Sequence, residues 1–100
     1  MSMYTPPETS VRLIEAIEKR FDEQPFYRFQ MSVKGVSTMA ERPCVDSSFL
    51  AALASEMFSR GWCMFPVSHT SYCFIKSDKA EGWRKISGDR MCEILAEADK

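Results

Sequence analysis

Gly61-Trp-Cys-Met-Phe-Pro-Val-Ser-His-Thr-Ser-Tyr-Cys-Phe-Ile-Lys76 is the stretch whose reading decides the fold. It contains two short apolar runs, Trp62–Phe65 and Tyr72–Ile75, around a loop of turn formers, Pro66–Ser71. Uncharged aromatic and sulfur side chains in runs this short suit β-strands, and the turn formers between them suit a hairpin. Pairing Phe65 with Tyr72 would put Cys63, Phe65, Tyr72 and Phe74 on one face. Trp62, Met64, Cys73 and Ile75 would then occupy the other, since strand side chains alternate. Both faces are apolar, so the hairpin needs cover on each side.

Working outward, Phe26 to Lys34 alternates: Tyr27, Phe29, Met31 and Val33 against Arg28, Gln30, Ser32 and Lys34. That pattern predicts a strand with one wet face, ended or bulged at Gly35. Ser37 to Pro43 reads as a polar connection. Asp46 or Ser47 opens a helix that Gly61 stops, with Phe49, Leu50, Leu53, Met57 and Phe58 as its apolar stripe. The small residues Ala51, Ala52, Ala54 and Ser55 would let it lie close to the sheet.

Upstream, Thr5-Pro-Pro-Glu8 carries a capping box and early prolines, and Val11, Leu13, Ile14, Ile17 and Phe21 follow at helical spacing. Arg12, Glu15, Lys19 and Asp22 mark its wet side, and Pro25 ends a helix expected over about residues 6 to 23. Downstream, Lys76 to Gly82 is charged and turn-like, and Trp83–Ile86 could form a short strand. Ser87 caps a last helix whose apolar face is Met91, Ile94 and Leu95. The expected fold is one α+β domain over residues 1–100. It has a small antiparallel sheet of three to four strands with about three helices packed on it.

Composition narrows the function classes. The 100 residues are 45% hydrophobic and 27% charged, ordinary globular values, with a net charge of −1. This balance excludes strongly electrostatic binding of nucleic acid or membrane by the molecule as a whole. No apolar run approaches the roughly 18 residues of a membrane span. The start of the chain lacks the pattern of a secretory signal, so a cytoplasmic location is expected. In that compartment Cys44, Cys63, Cys73 and Cys92 are read as reduced thiols. The assumed register, which separates Cys63 from Cys73, also argues against a bridge between them.

Chemistry-bearing patterns are few. Cys63, His69 and Cys73 give C-x5-H-x3-C, but a structural zinc site needs a fourth ligand and close-spaced pairs are absent. A Cys–His nucleophile would need the thiol within reach of His69, which nothing in the spacing enforces. No phosphate loop, metalloprotease helix or hydrolase elbow occurs. No enzyme activity and no cofactor is expected.

Two surfaces stand out instead. The uncharged loop with Pro66, Val67 and His69, ending beside Tyr72, suits protein contact. Residues 76–90 carry a net charge of +2 with Trp83 beside Arg84 and Lys85. They could contact a protein partner or, joined by Arg28 and Lys34, nucleic acid. Seven Met, seven Phe, three Tyr and two Trp are many for a core this size, so some are expected at the surface.

Small size, mild acidity and an aromatic surplus resemble the early proteins by which phages redirect host machines. With the stretches MSMYTPPETSVRLIEAIEKRF and GWCMFPVSHTSYCF, the chain is similar to the anti-RecBCD proteins of lambdoid phages. The resemblance implies binding to a host nuclease–helicase complex rather than chemistry. It also implies a host prolyl isomerase as co-partner, with Pro66 as the proline such an enzyme would grip.

Overall fold

The computed structural model describes residues 3–20 and 27–98. Its elements are α1 (Pro6–Arg20), β1 (Arg28–Ser32), α2 (Val33–Met39), α3 (Ser47–Ser59), β2 (Trp62–Pro66), β3 (Ser71–Lys76), α4 (Ser77–Glu81) and α5 (Gly88–Ala98). The fold is α+β, with the strands in the antiparallel order β1-β3-β2 and β3 at the centre.

The start of α1 is built by its capping box. The Thr5 N–H and hydroxyl both donate to Glu8 Oε1, at 3.0 and 2.9 Å, and the Glu8 N–H returns a bond of 3.4 Å to Thr5 Oγ1. These donors hold the Glu8 carboxyl below the usual carboxylate range, the backbone bond from Thr5 being the largest cause. The face α1 buries is Thr9, Ser10 and Leu13, with Ile14 and Ile17 packed at the core edge. Val11, placed on that face by spacing, is exposed. The expected continuation to residue 23 and Phe21 lie outside the described residues.

The strand expected over Phe26 to Lys34 is β1, Arg28–Ser32, which stops two residues short of the expected end, and Phe26 lies outside the described residues. The Ser32 hydroxyl accepts the Gly35 N–H at 3.0 Å and caps α2, so the backbone turns helical where a strand end and loop were expected. Val36 and Ala40 of this segment are fully buried, which offsets the cost of its β-branched residues and Gly35. Gly35 is required by space: a Cβ there would lie 2.7 Å from Met31 Cγ. The helix exits through Glu41, whose φ of 52° is the left-handed conformation of a helix stop.

Asp46 caps α3, accepting the Phe49 N–H at 2.8 Å, and Gly61 at φ 88° ends it as expected. Phe49, Leu50, Leu53 and Met57 are buried. Phe58 is 67% exposed, because the buried stripe passes through positions 50, 53 and 57 and leaves its neighbour outside.

The hairpin register differs from the expected one by a single position. Pro66, not Phe65, faces Tyr72, and Phe65 faces Cys73. The physical reason is the turn: Val67 and Ser68 N–H groups both donate to the Ser71 carbonyl, at 3.0 and 3.4 Å, which closes a four-residue loop. A one-residue slip reassigns faces. Trp62, Met64 and Phe74 point into the core, with Tyr72 packed at its edge, whereas Cys63, Phe65 and Cys73 lie on the other side. Cys63 and Cys73 therefore share a face. Cys73 does not anchor the hairpin to the helix-covered core, while Trp62 and Met64 do.

The main core is a layer between one sheet face and the helices α1, α2 and α3. Phe29 stacks on Phe74 at 4.6 Å between ring centroids, and meets Trp62 edge-on at 5.8 Å. Trp83–Ile86 is not a fourth strand; it joins α4 to α5 as an exposed, irregular segment. The Ser87 hydroxyl caps α5 through the Arg90 N–H at 3.1 Å, but no residue of α5 is buried. The apolar stripe Met91, Ile94 and Leu95 stands in solvent, so α5 is not one of the packed helices. The molecule is correspondingly long, 62 × 33 × 19 Å, with a radius of gyration of 17.0 Å. A compact domain of this length would have about 13 Å.

Two outcomes follow. Trp62→Ala should lower stability by about 3–5 kcal/mol in denaturant unfolding, the cost of emptying a buried aromatic site. Because the Glu8 carboxyl is held low, its contribution is complete above the ordinary carboxylate pKa and fades as pH falls through the folded value. Wild-type and Glu8→Gln unfolding curves, separated near neutrality, should therefore converge in acid.

Candidate functional site

The expected contact residues divide between two places. Pro66, Val67 and His69 are exposed on the hairpin tip. The tip is ordered by its own polar groups: the Thr70 N–H donates to Ser68 Oγ at 3.3 Å, and the Val33 N–H at the start of α2 donates to the Thr70 carbonyl at 2.8 Å. The Phe65–Pro66 bond is trans. Tyr72, assigned to the same loop, pairs with Pro66 but is half-buried and packs on the core.

Trp83 lies elsewhere, 57% exposed at a groove on the sheet face that α1 and α3 leave bare. The alternation of the three strands puts Arg28 and Gln30 of β1, Cys73 and Ile75 of β3, and Phe65 of β2 into this groove, whose volume is about 470 Å³. Phe65 lines the groove, whereas Pro66, the next residue, points to the opposite sheet face with Tyr72. Arg84 and Lys85 follow Trp83 and are exposed. Lys34, expected beside Arg28 on the strand, is instead on α2, because the chain has already turned helical there.

The three groups of the C-x5-H-x3-C pattern are not assembled. Cys63 Sγ lies 3.7 Å from Ser77 Oγ, Cys73 lines the groove, and His69 is at the tip. Among the described residues no three His, Cys, Asp or Glu side chains are grouped to hold a metal ion. A second cleft, of about 420 Å³, lies on the helix side and is lined by Glu18, Arg60, Lys76 and Asp78 together with Ile14 and Ile17. No described helix is long and apolar enough to cross a membrane.

The sequence reading missed the bare sheet face. Cys63, Phe65 and Cys73 were visible as apolar, but which side of the hairpin they occupy depends on register. It also took Arg12 for a solvent residue. Arg12 Nε donates to the Met39 carbonyl at 2.8 Å and its guanidinium lies 4.3 Å above the Tyr4 ring. No protein family, curated protein or solved structure matches the chain.

Since Pro66 and His69 are exposed and lack core contacts, alanine at either position should change stability by less than about 0.5 kcal/mol. Thermal unfolding of the two variants beside wild type checks this.

Proposed function

We propose that this chain is a protein–protein interaction module that acts by binding and not by catalysis. Its partner in this reading is a host DNA-processing nuclease–helicase complex of the RecBCD type, met in the host cytoplasm and modulated by the bound chain. The supporting observation is an ordered hairpin tip that exposes Pro66 and Val67, together with a groove on the uncovered sheet face where Phe65 and Trp83 are exposed. Ser68, His69 and Thr70 surround the tip with polar groups, the arrangement of an apolar anchor in a polar rim. The tip's internal hydrogen bonds reduce the entropy lost when a partner closes on it. Pro66, exposed at the entrance to the tip, is the proline offered to a host prolyl isomerase as a second partner.

A second reading has its own observation. Arg28 and Trp83 line one groove, and Arg84 and Lys85 follow directly, so a cation and a stacking ring stand together as single-stranded nucleic acid binding requires. That binding would weaken steeply with salt as counterions are released.

The two readings separate in one pair of experiments. The tagged chain should retain the nuclease complex stoichiometrically from bacterial lysate, and Val67→Asp or Pro66→Ala should reduce the yield without unfolding the protein. A gel-shift titration at low salt should show no binding of single-stranded or duplex DNA. A folded chain that captures no nuclease complex and leaves the purified enzyme's activity unchanged would refute the first reading. A salt-sensitive shift, lost in Trp83→Ala, would establish the second.

A further inference from the structure

We infer that the apolar stripe of α5 docks in the bare-face groove of a second copy of this chain, and that the second copy returns its own α5 in exchange. Three observations carry this. The chain has two unpartnered apolar surfaces of complementary form, a helix stripe (Met91, Ile94, Leu95) and a groove roofed only at its edge by Trp83. They are not joined in one chain: the segment from Arg84 to Ser87 is irregular and no residue of α5 is buried. Their charges are opposite. Residues 88–98 carry Asp89, Glu93 and Glu97 against Arg90, a net −2. At the groove, Arg84 and Lys85 follow Trp83 directly and Arg28 adds a cation in the groove itself.

Area decides for a second copy over a single docked helix. An eleven-residue helix is only about 16 Å long, too short to make a stable complex alone. Reciprocal exchange brings together two helices and two grooves. Each of these four surfaces need give up only about 300 Å² to reach the roughly 1,200 Å² of a specific interface. The arrangement is a two-fold, self-complementary contact. An anionic membrane is a poor occupant, since interfacial helices carry Lys and Arg on the polar face and α5 is acidic. Such a dimer covers Phe65 and Trp83 and leaves the hairpin tip for the proposed partner, and sedimentation of the chain alone reads association without that partner.

Sedimentation equilibrium of the full chain tests it. Wild type should sediment with twice the 11.5 kDa chain mass at micromolar concentration. Leu95→Asp on the helix and Phe65→Asp in the groove should each weaken association on the order of 100-fold or more. Leu95→Asp should leave a folded monomer, because α5 buries nothing within its own chain, and its thermal midpoint should lose the concentration dependence of the associating wild type. Phe65→Thr, which retains strand preference, replaces Phe65→Asp should that variant unfold. A wild-type monomer, whether α5 folds back on its own groove or stays free for another partner, would overturn the inference. So would a dimer broken by Leu95→Asp but untouched by the groove variants, which would mean helix-to-helix contact.

Discussion

The fold depends on one aromatic contact: Phe74, on the central strand, stacked on Phe29 with Trp62 edge-on to Phe29. Phe74 is 1% exposed and comes from β3, the strand that pairs on both sides. Phe29 comes from β1 and Trp62 from β2, the strands on either side of β3, so the cluster ties together all three strands on the face that α3 covers. Leu53 and Met57 of α3 are fully buried in the same core. Removing one ring would open space that close-packed neighbours can fill only partly. The sheet order and the position of α3 are in this sense consequences of where three rings meet.

A second constraint holds the N-terminal segment to the rest. The Tyr4 N–H donates to the Ala40 carbonyl, Arg42 Nε donates to the Tyr4 carbonyl, and Arg12 Nε donates to the Met39 carbonyl. Arg60 Nε, at the end of α3, reaches the buried Ser10 hydroxyl of α1 at 2.8 Å. Arg12 thereby supplies a donor to a carbonyl at the C-terminal end of α2. Arg12 and Arg42 also lie over the rings of Tyr4 and Phe49, which adds cation–π attraction. Polar groups thus join helices whose contact face includes Thr9 and Ser10. The Thr9 hydroxyl is buried without a hydrogen-bond partner, so this close approach carries a desolvation cost.

One sheet face and one helix lie outside this framework. The sheet is covered by α1–α3 on one side and by the short α4 and Trp83 at one end of the other. An antiparallel sheet tolerates a wet face when its residues are polar. Here Arg28, Gln30 and Ser32 meet that condition on β1, whereas the exposed Phe65 and the half-buried Cys63 and Cys73 do not, and Ile75 on the same side is buried. Phe65 and Trp83 at the groove and the apolar stripe of α5 are places where the described residues expose hydrophobic surface that the fold does not cover.

The sequence alone determined what local physics determines. Thr5 with Glu8, Asp46, Ser87 and Gly61 marked helix starts and a stop because caps are short-range hydrogen bonds or single-residue dihedrals. The alternation from Arg28 to Ser32 and the two apolar runs marked strands because side chains alternate whatever lies beyond them. The exposed tip of Pro66, Val67 and His69 was legible for the same reason, as polar groups with no reason to be buried. Only the tertiary structure decided the rest. The hairpin's faces turned on whether Phe65 or Pro66 meets Tyr72, which the carbonyl of Ser71 settles by accepting two loop donors. Val33 to Met39 became a helix because a buried place exists for Val36 and Ala40, a long-range fact. The arginine side chains turned inward because partner carbonyls lie more than twenty residues away in the chain. Most plainly, the pattern of Met91, Ile94 and Leu95 specifies a helix with one apolar face. Periodicity fixes which residues share a face, and only the surrounding fold fixes what that face meets.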